Sequence, residues 1–513
     1  MPGIFGKHKI CAVVAGRDAA DAAAQLLRAL RDTRTAELRL DWLASRSEIR
    51  KILQWLAGKK GKQARSRATL IATCRRRVAG GKFASDIKEQ TEILRQAGRA
   101  GCAWLDIEIE TAEKLSKREF AVLRAEAKIL ISYHDFKRTP PNLERVRTRL
   151  QRAGGDAIKI AAHANNYRDA CRLLQLARAN RRFVAIPMGE VGAAARILAL
   201  RAGSALAYAS VEEATAPGQI SLNAMKALYH ADRINRRTRV YGVIGNPIHH
   251  SLSPLMQNAA FQARGINAVF LPFLVRDLRD FMRAIPELGV TGLSVTIPHK
   301  QAILKHLDDC DPLAAAIGAV NTVVVRGGGK LFGYNTDYVG VLRALESRIS
   351  LAGSSVLIVG AGGAARAVAF ALARAGAAVR ISARRPAKAK ELARAVGGEA
   401  IARSQLRGEF FDAIVNATPV GMYPNTNQSP LESSELNCRL VFDSIYRPRR
   451  TKLLQLAERR GIQTVSGLEM FVAQGMAQWE IWTGERAPEG VMRRVVVVAL
   501  GEEWKSEKRR VPG

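Results

Sequence analysis

Eight apolar, strand-like segments follow one another through roughly the first 230 residues, with helical patterns between most of them,. They read "KICAVVA", "AELRLDWL", "ATLIATCR", "CAWLDIEIE", "KILISYHDF", "DAIKIAAHA", "FVAIPMG" and "ALAYASV". Stretches such as "AADAAAQLLRALRD" and "LERVRTRLQRAGG" supply the intervening helices. Eight strand–helix units in that length predict a compact (β/α)8 barrel, whose active site lies at the carboxyl ends of the strands.

Polar residues on those strands mark where chemistry is expected. Glu37, Arg39 and Asp41 alternate along one, and Asp106, Glu108 and Glu110 along another. Alternate strand residues share a face, and a closed barrel has no edge, so both sets are expected to project into the barrel or toward its mouth. "DAIKIAAH" places Lys159 inside an apolar run, and "ISYHDF" ends the preceding strand with His134. Lysine is rarely buried, because its ammonium loses hydration there. A lysine beside a histidine at a barrel mouth suits imine chemistry. Desolvation and neighbouring cations favour a free amine, which attacks a ketone while the imidazole shuttles protons. The protonated imine acidifies the neighbouring C–H and lets a β-hydroxyl leave, which is a dehydration without a metal.

The second half carries a different signal. After the basic connector "HADRINRRTRV", the segment "VLIVGAGGAARAVAFALARAGAAVRISARR" reads as strand, glycine turn, helix and strand,. Its turn fits G-x-G-x-x-A at Gly360, Gly362 and Ala365, with Ala361, Gly363 and Ala364 between. Such glycines let the backbone approach a pyrophosphate, which the following helix N-terminus stabilises. Where an NAD enzyme places an acid after the second strand, this chain has Ala383, Arg384, Arg385 and then Lys388. Cations there suit a 2′-phosphate, so NADP is the expected cofactor. Upstream, "GLSVTIPHK", "GAVNT" and "GYNTDYVG" supply Lys300, Asn321 and Asp337, and a Lys–Asp pair can hold and move the proton of a secondary alcohol opposite a hydride,.

The chain carries 80 Lys+Arg against 46 Asp+Glu, a formal charge of +34. The surplus is arginine spread along helical segments, and aromatics are only 6% of residues, so stacking platforms for nucleic acid are scarce,. We read the charge as a solvated basic surface that attracts anionic small molecules. The cysteines at 11, 74, 102, 171, 310 and 438 show no metal-site or disulfide spacing, and no apolar run reaches the ~18 residues of a membrane span,. With a strand pattern starting within ten residues of Met1, the expectation is a mature cytoplasmic protein with no metal,.

Several motifs in register carry a family resemblance. "ELRLD", "SYHDF", "IKIA", "PMGEVGAAAR" and "APGQI" resemble type I 3-dehydroquinate dehydratase across residues 8–230. The resemblance implies Lys159 as the Schiff-base lysine and His134 as general acid/base. It also implies that Glu37, Arg39, Arg75, Arg196, Thr215 and Gln219 hold the substrate's hydroxyls and carboxylate, Thr215 standing where the family usually has Ser. One position departs. "RRRVAGG" aligns Arg75, Gly80 and Gly81 with the family but has Ala79 where it has the glutamate that orients the catalytic histidine. A slow dehydratase is therefore expected, the rival being a dehydrogenase with a decayed barrel.

"GNPIHHSLSP", "VTIPHK", "GAVNT", "NTD", "GAGGAAR", "NATPVGM" and "GLEMFVAQ" resemble shikimate dehydrogenase over about residues 240–500. The resemblance implies Lys300 and Asp337 as the catalytic pair. It places Ser251, Ser253, Thr296, Asn321, Tyr446 and Gln474 around the substrate, and Thr418 and Gly467 on the cofactor side. The expected organisation is a dehydratase barrel over 1–232, a basic linker over 233–239, a substrate-binding domain over 240–345, a Rossmann-like NADP domain over 346–480, and C-terminal helices and tail over 481–513. Together they resemble the fused dehydroquinate dehydratase–shikimate dehydrogenases, with small-molecule substrates and neither membrane nor nucleic acid as partner.

Overall fold

In the computed structural model, the chain is described from residue 4 to residue 508 apart from 6–7, 180–181, 213–215, 217 and 347. Two units emerge, Met1–Val240 with Asn267–Gly289, and Tyr241–Ile266 with Val290–Gly513.

The first unit holds the barrel strands β1 (Ile10–Val14), β2 (Thr35–Arg39), β3 (Thr69–Thr73), β4 (Trp104–Glu108), β5 (Lys128–Asp135), β6 (Ala157–His163), β7 (Phe183–Met188) and β8 (Ala207–Ser210). A short β9 (Ile220–Ser221) pairs with β8. The ladder runs β7-β6-β5-β4-β3-β2-β1-β8-β9, and its paired strands are parallel. Among the described residues no strand ladder joins β7 to β8; the Ala205 N–H donates to the Phe183 carbonyl at 2.9 Å and bridges the seam. Helices cover the outside, so most strand residues are apolar on both faces, as a parallel sheet requires,. Inside, Cys11, Val13, Ile71, Trp104, Leu130, Ala157, Ala161, Val184, Ile186 and Met188 pack into one cluster.

Two details differ from the sequence reading. Asp41 and Glu110 are not strand residues: β2 and β4 stop at Arg39 and Glu108, and the next residues turn into short helices at Leu40–Trp42 and Ile109–Ala112. Barrel strands are short because each must hand the chain to an outer helix, so a period-two pattern can outlast its strand by one step.

Two further sheets follow along the chain. One, ordered β11-β10-β12-β14-β15-β13, comprises β10 (Arg239–Gly245), β11 (Ala268–Leu274), β12 (Val290–Val295), β13 (Asp309–Cys310), β14 (Thr322–Val325) and β15 (Leu331–Tyr334). The other is parallel in the order β18-β17-β16-β19-β20-β21, from β16 (Ser355–Val359), β17 (Ala378–Ser382), β18 (Glu399–Ala400), β19 (Phe411–Asn416), β20 (Cys438–Asp443) and β21 (Gln463–Ser466). Order reverses at β16, the switch point where doubly wound sheets bind ligands. The helix Leu468–Thr483 follows β21 in sequence yet docks on the first of these sheets. Gln478 accepts from Ser294 at 2.7 Å and donates to the Asn321 carbonyl at 3.1 Å, and Trp482 donates to the Val323 carbonyl at 3.1 Å.

Candidate active sites

Register places the barrel's polar residues. Ser132 of β5 pairs with Lys159 of β6, and His134 with Ala161, so Lys159 and His134 occupy successive levels of one inward face,. Lys159 is 1% exposed. Its ammonium contacts the Asp106 carboxylate, lies 3.4 Å from Glu37, and sits 4.8 Å from the centre of the Tyr208 ring. Its nearest charges are thus carboxylates, whereas the sequence suggested cations; the arginines stand one step back. Arg75 lies 3.4 Å from the same Asp106 oxygen, Ser132 donates to Asp106, and Thr73 donates to Glu37 at 2.8 Å. Burial raises the Asp106 carboxyl, and Lys159 and Arg75 more than offset it, leaving it below its ordinary range. Asp106, Ser132 and Thr73 were absent from the sequence-predicted site residues, although the period-two pattern already turned Asp106 inward.

Arg39 folds onto Asp41 through two hydrogen bonds at 2.9 and 2.8 Å, and Asp41 also accepts from the Lys82 N–H at 3.1 Å. Arg196, on the helix Gly189–Ala202, is buried, and that burial pulls its guanidinium down to about 10. Gln219 precedes β9; Thr215 lies outside the described residues. Burial pulls His134 well below its usual value, with Arg75, Lys159 and Arg39 adding to it. Its Nδ1 is shut off from solvent, with no hydrogen-bond partner among the described residues. Ala79 lies in the turn just before Gly80, whose left-handed φ of +78° leaves no room for a side chain against Phe136. Phe136 stacks on His134 with centroids 6.1 Å apart. The carboxylate missing from position 79 and the orphaned nitrogen therefore belong to one corner.

In the dehydrogenase-like part, Lys300 Nζ lies 2.5 Å from Asp337 Oδ2. The Asn321 amide donates to Asp337 Oδ1 and to Thr336 Oγ1, both at 2.9 Å, and accepts from the Thr336 N–H at 2.7 Å. Asn335 accepts from the Asp337 N–H at 3.1 Å and donates to the Ala319 carbonyl at 2.8 Å. All of "NTD" is therefore occupied in aiming one carboxylate. The half-buried Ser251 accepts from the N–H of buried Ser253 at 3.3 Å, and the Thr296 N–H donates to Ile244. Tyr446 stacks on Phe471 at 4.1 Å, whose carbonyl accepts from Gln474 at 2.8 Å.

The glycine turn meets this site. A Cβ on Gly363 would stand 3.1 Å from Lys300 Cβ, so the turn and the lysine are neighbours. Gly360 has φ +117° and closes on Thr418 and Ala417, whereas a Cβ on Gly362 would meet nothing within 4 Å. Open space before the helix Gly363–Arg374, with Ala361 and Ala364 offering no bulk, fits a dinucleotide pyrophosphate,. Arg384, Arg385 and Lys388 follow β17, are exposed, and make no ion pair among the described residues, which fits a 2′-phosphate. Thr418 is held by Asn416, itself bonded to buried Asp443 at 3.0 Å. Gly467 packs against the Ser444 carbonyl, where a Cβ would come within 2.3 Å.

Comparison with known proteins agrees with both halves. Residues 10–236 match the profile of type I 3-dehydroquinase, 243–323 the shikimate dehydrogenase substrate binding domain, 343–427 shikimate / quinate 5-dehydrogenase, and 467–497 the shikimate 5′-dehydrogenase C-terminal domain. A bifunctional 3-dehydroquinate dehydratase/shikimate dehydrogenase of Arabidopsis thaliana, described as chloroplastic, is 36% identical over 88% of this chain and 78% of its own. The chain belongs to this bifunctional family. Within it, the second half is also similar to the NADP(+) shikimate dehydrogenase of Thermococcus kodakarensis, 45% identical over 52% of this chain and 98% of that one. A solved Thermus thermophilus shikimate 5-dehydrogenase in complex with NADP(H) and shikimate is 36% identical, covering 51% of this chain and all of its own, with a TM-score of 0.48.

Proposed function

We propose that this chain dehydrates 3-dehydroquinate to 3-dehydroshikimate in residues 1–232 and reduces 3-dehydroshikimate to shikimate with NADPH in residues 240–480. Residues 233–239 serve as linker and 481–513 as C-terminal helices and tail. One observation carries the reading: a buried lysine held by two carboxylates inside a barrel shares a chain with a Lys–Asp pair set against a glycine turn.

In the barrel, Asp106 touches the Lys159 ammonium and is placed to take its proton, so that the amine can attack the substrate ketone,. Loss of water closes the imine. His134 removes the proton from the carbon between the imine and the tertiary alcohol, and the electron pair moves into the iminium to give an enamine. That pair returns to expel the hydroxyl, which departs as water with the proton from His134. Hydrolysis of the imine releases the product and frees Lys159. Glu37, Arg39, Arg75, Arg196, Thr215 and Gln219 hold the hydroxyls and the carboxylate.

In the second site, bound NADPH supplies the hydride. Lys300 gives the carbonyl oxygen its proton, and Asp337, aimed by Asn321, holds the ammonium toward it,. Ser251, Ser253, Thr296, Tyr446 and Gln474 surround the substrate. Gly360 to Ala364, Thr418 and Gly467 seat the cofactor, and Arg384, Arg385 and Lys388 meet its 2′-phosphate. The partners are small anionic molecules, which the basic surface attracts, rather than nucleic acid. We place the chain in the cytoplasm. Its cysteines are free thiols, five of the six buried, and among the described residues no helix is long and apolar enough to cross a membrane.

The test supplies 3-dehydroquinate and NADPH to the full chain. NADPH consumption with shikimate accumulating supports the reading. Consumption only when 3-dehydroshikimate is supplied directly overturns the first activity and leaves a dehydrogenase alone.

A further inference from the structure

One imidazole at the barrel mouth has no task in this scheme. His163 ends β6, and Ala157 and Ala161, which share its parity with Lys159, belong to the interior cluster. Its register partner on β7 is Met188, another member of that cluster. Since His134 pairs with Ala161, His163 stands one inward level beyond His134 toward the carboxyl end. Four residue steps along the strand separate it from Lys159, about 13 Å of rise.

Its surroundings fix the backbone that carries the ring. The His163 carbonyl accepts from Thr139 Oγ1 at 2.9 Å, and the next N–H donates to the Met188 carbonyl at 3.0 Å. The imidazole lies over Gly189, which has φ +83°; a Cβ there would stand 2.7 Å from Cε1 and 2.8 Å from Nε2. Gly189 is in turn in close approach to the segment that carries Gln219, for a Cβ on Gly218 would come within 2.1 Å of the Gly189 carbonyl oxygen. The ring thus borders the segment of Gln219, one of the residues assigned to the substrate's hydroxyls and carboxylate. Nδ1 is closed to solvent and has no hydrogen-bond partner among the described residues. A phenyl or aliphatic group would fill this place without stranding a polar atom, so the nitrogen needs a reason to be there.

We infer that His163 is a further substrate-binding residue of the dehydratase site, donating a hydrogen bond from Nδ1 to the carboxylate end of the bound substrate. The inference rests on the dehydratase reading. A donor to an anionic oxygen in a desolvated corner makes a charge-assisted bond, stronger than one between neutral groups.

Two variants of the full chain separate the nitrogen from the ring. His163→Phe keeps an aromatic ring over Gly189 without a donor, and His163→Asn restores an N–H near the Nδ1 position. The readouts are dehydratase kcat and KM, with shikimate oxidation and borohydride trapping on Lys159 as controls for an intact chain and barrel. In His163→Phe, KM for 3-dehydroquinate should rise about tenfold, the loss of one such bond, with kcat within about twofold; His163→Asn should recover most of the difference. An unmoved KM in His163→Phe, or equal rises in both variants, overturns the inference. Should His163→Phe lose trapping through misfolding, His163→Asn is compared with His163→Ala, and equal KM values overturn it. Absence of dehydratase turnover in the unmutated chain overturns the dehydratase reading itself, and this inference with it.

Discussion

Restoring a carboxylate at position 79 should speed the dehydratase. Ala79 is half-buried in the turn that leans on Phe136, which stacks on His134, and the His134 Nδ1 has nothing to donate to. In Ala79→Glu the new carboxylate meets that nitrogen. A hydrogen bond to a charged group contributes about 1.5–3 kcal/mol, or about 10- to 150-fold when it acts in the transition state. Because the turn is partly open to water, the lower end applies, and kcat should rise about tenfold. The pH profile should move as well. Burial, Arg75, Lys159 and Arg39 hold the imidazole well below its ordinary value, and a carboxylate opposes them,. The acid limb of kcat, set by protonation of the base, should therefore shift to higher pH in the variant. Steady-state dehydration from acid to neutral pH checks both effects, with shikimate oxidation on the same samples expected to stay constant. A kcat that is unchanged or lower, with an unmoved acid limb, would show that His134 is oriented by something else.

Three further outcomes follow from the second half. Arg384→Ala with Arg385→Ala should raise KM for NADP far more than for NAD, and equal efficiency with both cofactors in the unmutated chain would show that these cations only face solvent. Asp337→Asn should lower kcat for shikimate oxidation by about 10²- to 10⁴-fold with little change in KM, since it leaves Asn321 and the seat of Lys300 in place,; steady-state kinetics decides. Burial raises the Asp443 carboxyl to about 6 from 3.8, so the folded state binds its proton more tightly than the unfolded one. Its stability contribution should be complete below about pH 4, fall by about 3 kcal/mol as pH rises to about 6, and stay flat beyond. Denaturant titrations of the protein and Asp443→Asn across that range should show the difference, and parallel curves would refute it.

The barrel was legible because its chemistry rides on strands. Eight apolar runs and period-two polar residues were enough to turn Glu37, Arg39 and Asp106 inward, and the neighbouring strands β5 and β6 bring His134, near the end of one, and Lys159, within the other, to one face. What stayed hidden was pairing. No spacing rule says that Asp106 meets Lys159, 53 residues away, because that depends on β4, β5 and β6 lying side by side in the closed ladder. Asp41 and Glu110 were misplaced because a pattern continues past the point where backbone hydrogen bonds stop. In the second half the glycine turn was plain, but the docking of Leu468–Thr483 on β12 and β14 was not, since the apolar face of a helix does not name the sheet that receives it. His163 is not legible in the sequence for a similar reason: an isolated histidine after an apolar run gains meaning only once its register with Met188 and its seat over Gly189 are known.

Lys159 should form an imine with the dehydratase substrate. Borohydride added to the full chain with 3-dehydroquinate, followed by peptide mass analysis, tests it most directly. A reduced adduct is expected on Lys159, with loss of both adduct and dehydration in Lys159→Ala while shikimate oxidation persists. An adduct on another lysine, or none from an enzyme that dehydrates its substrate, would contradict it.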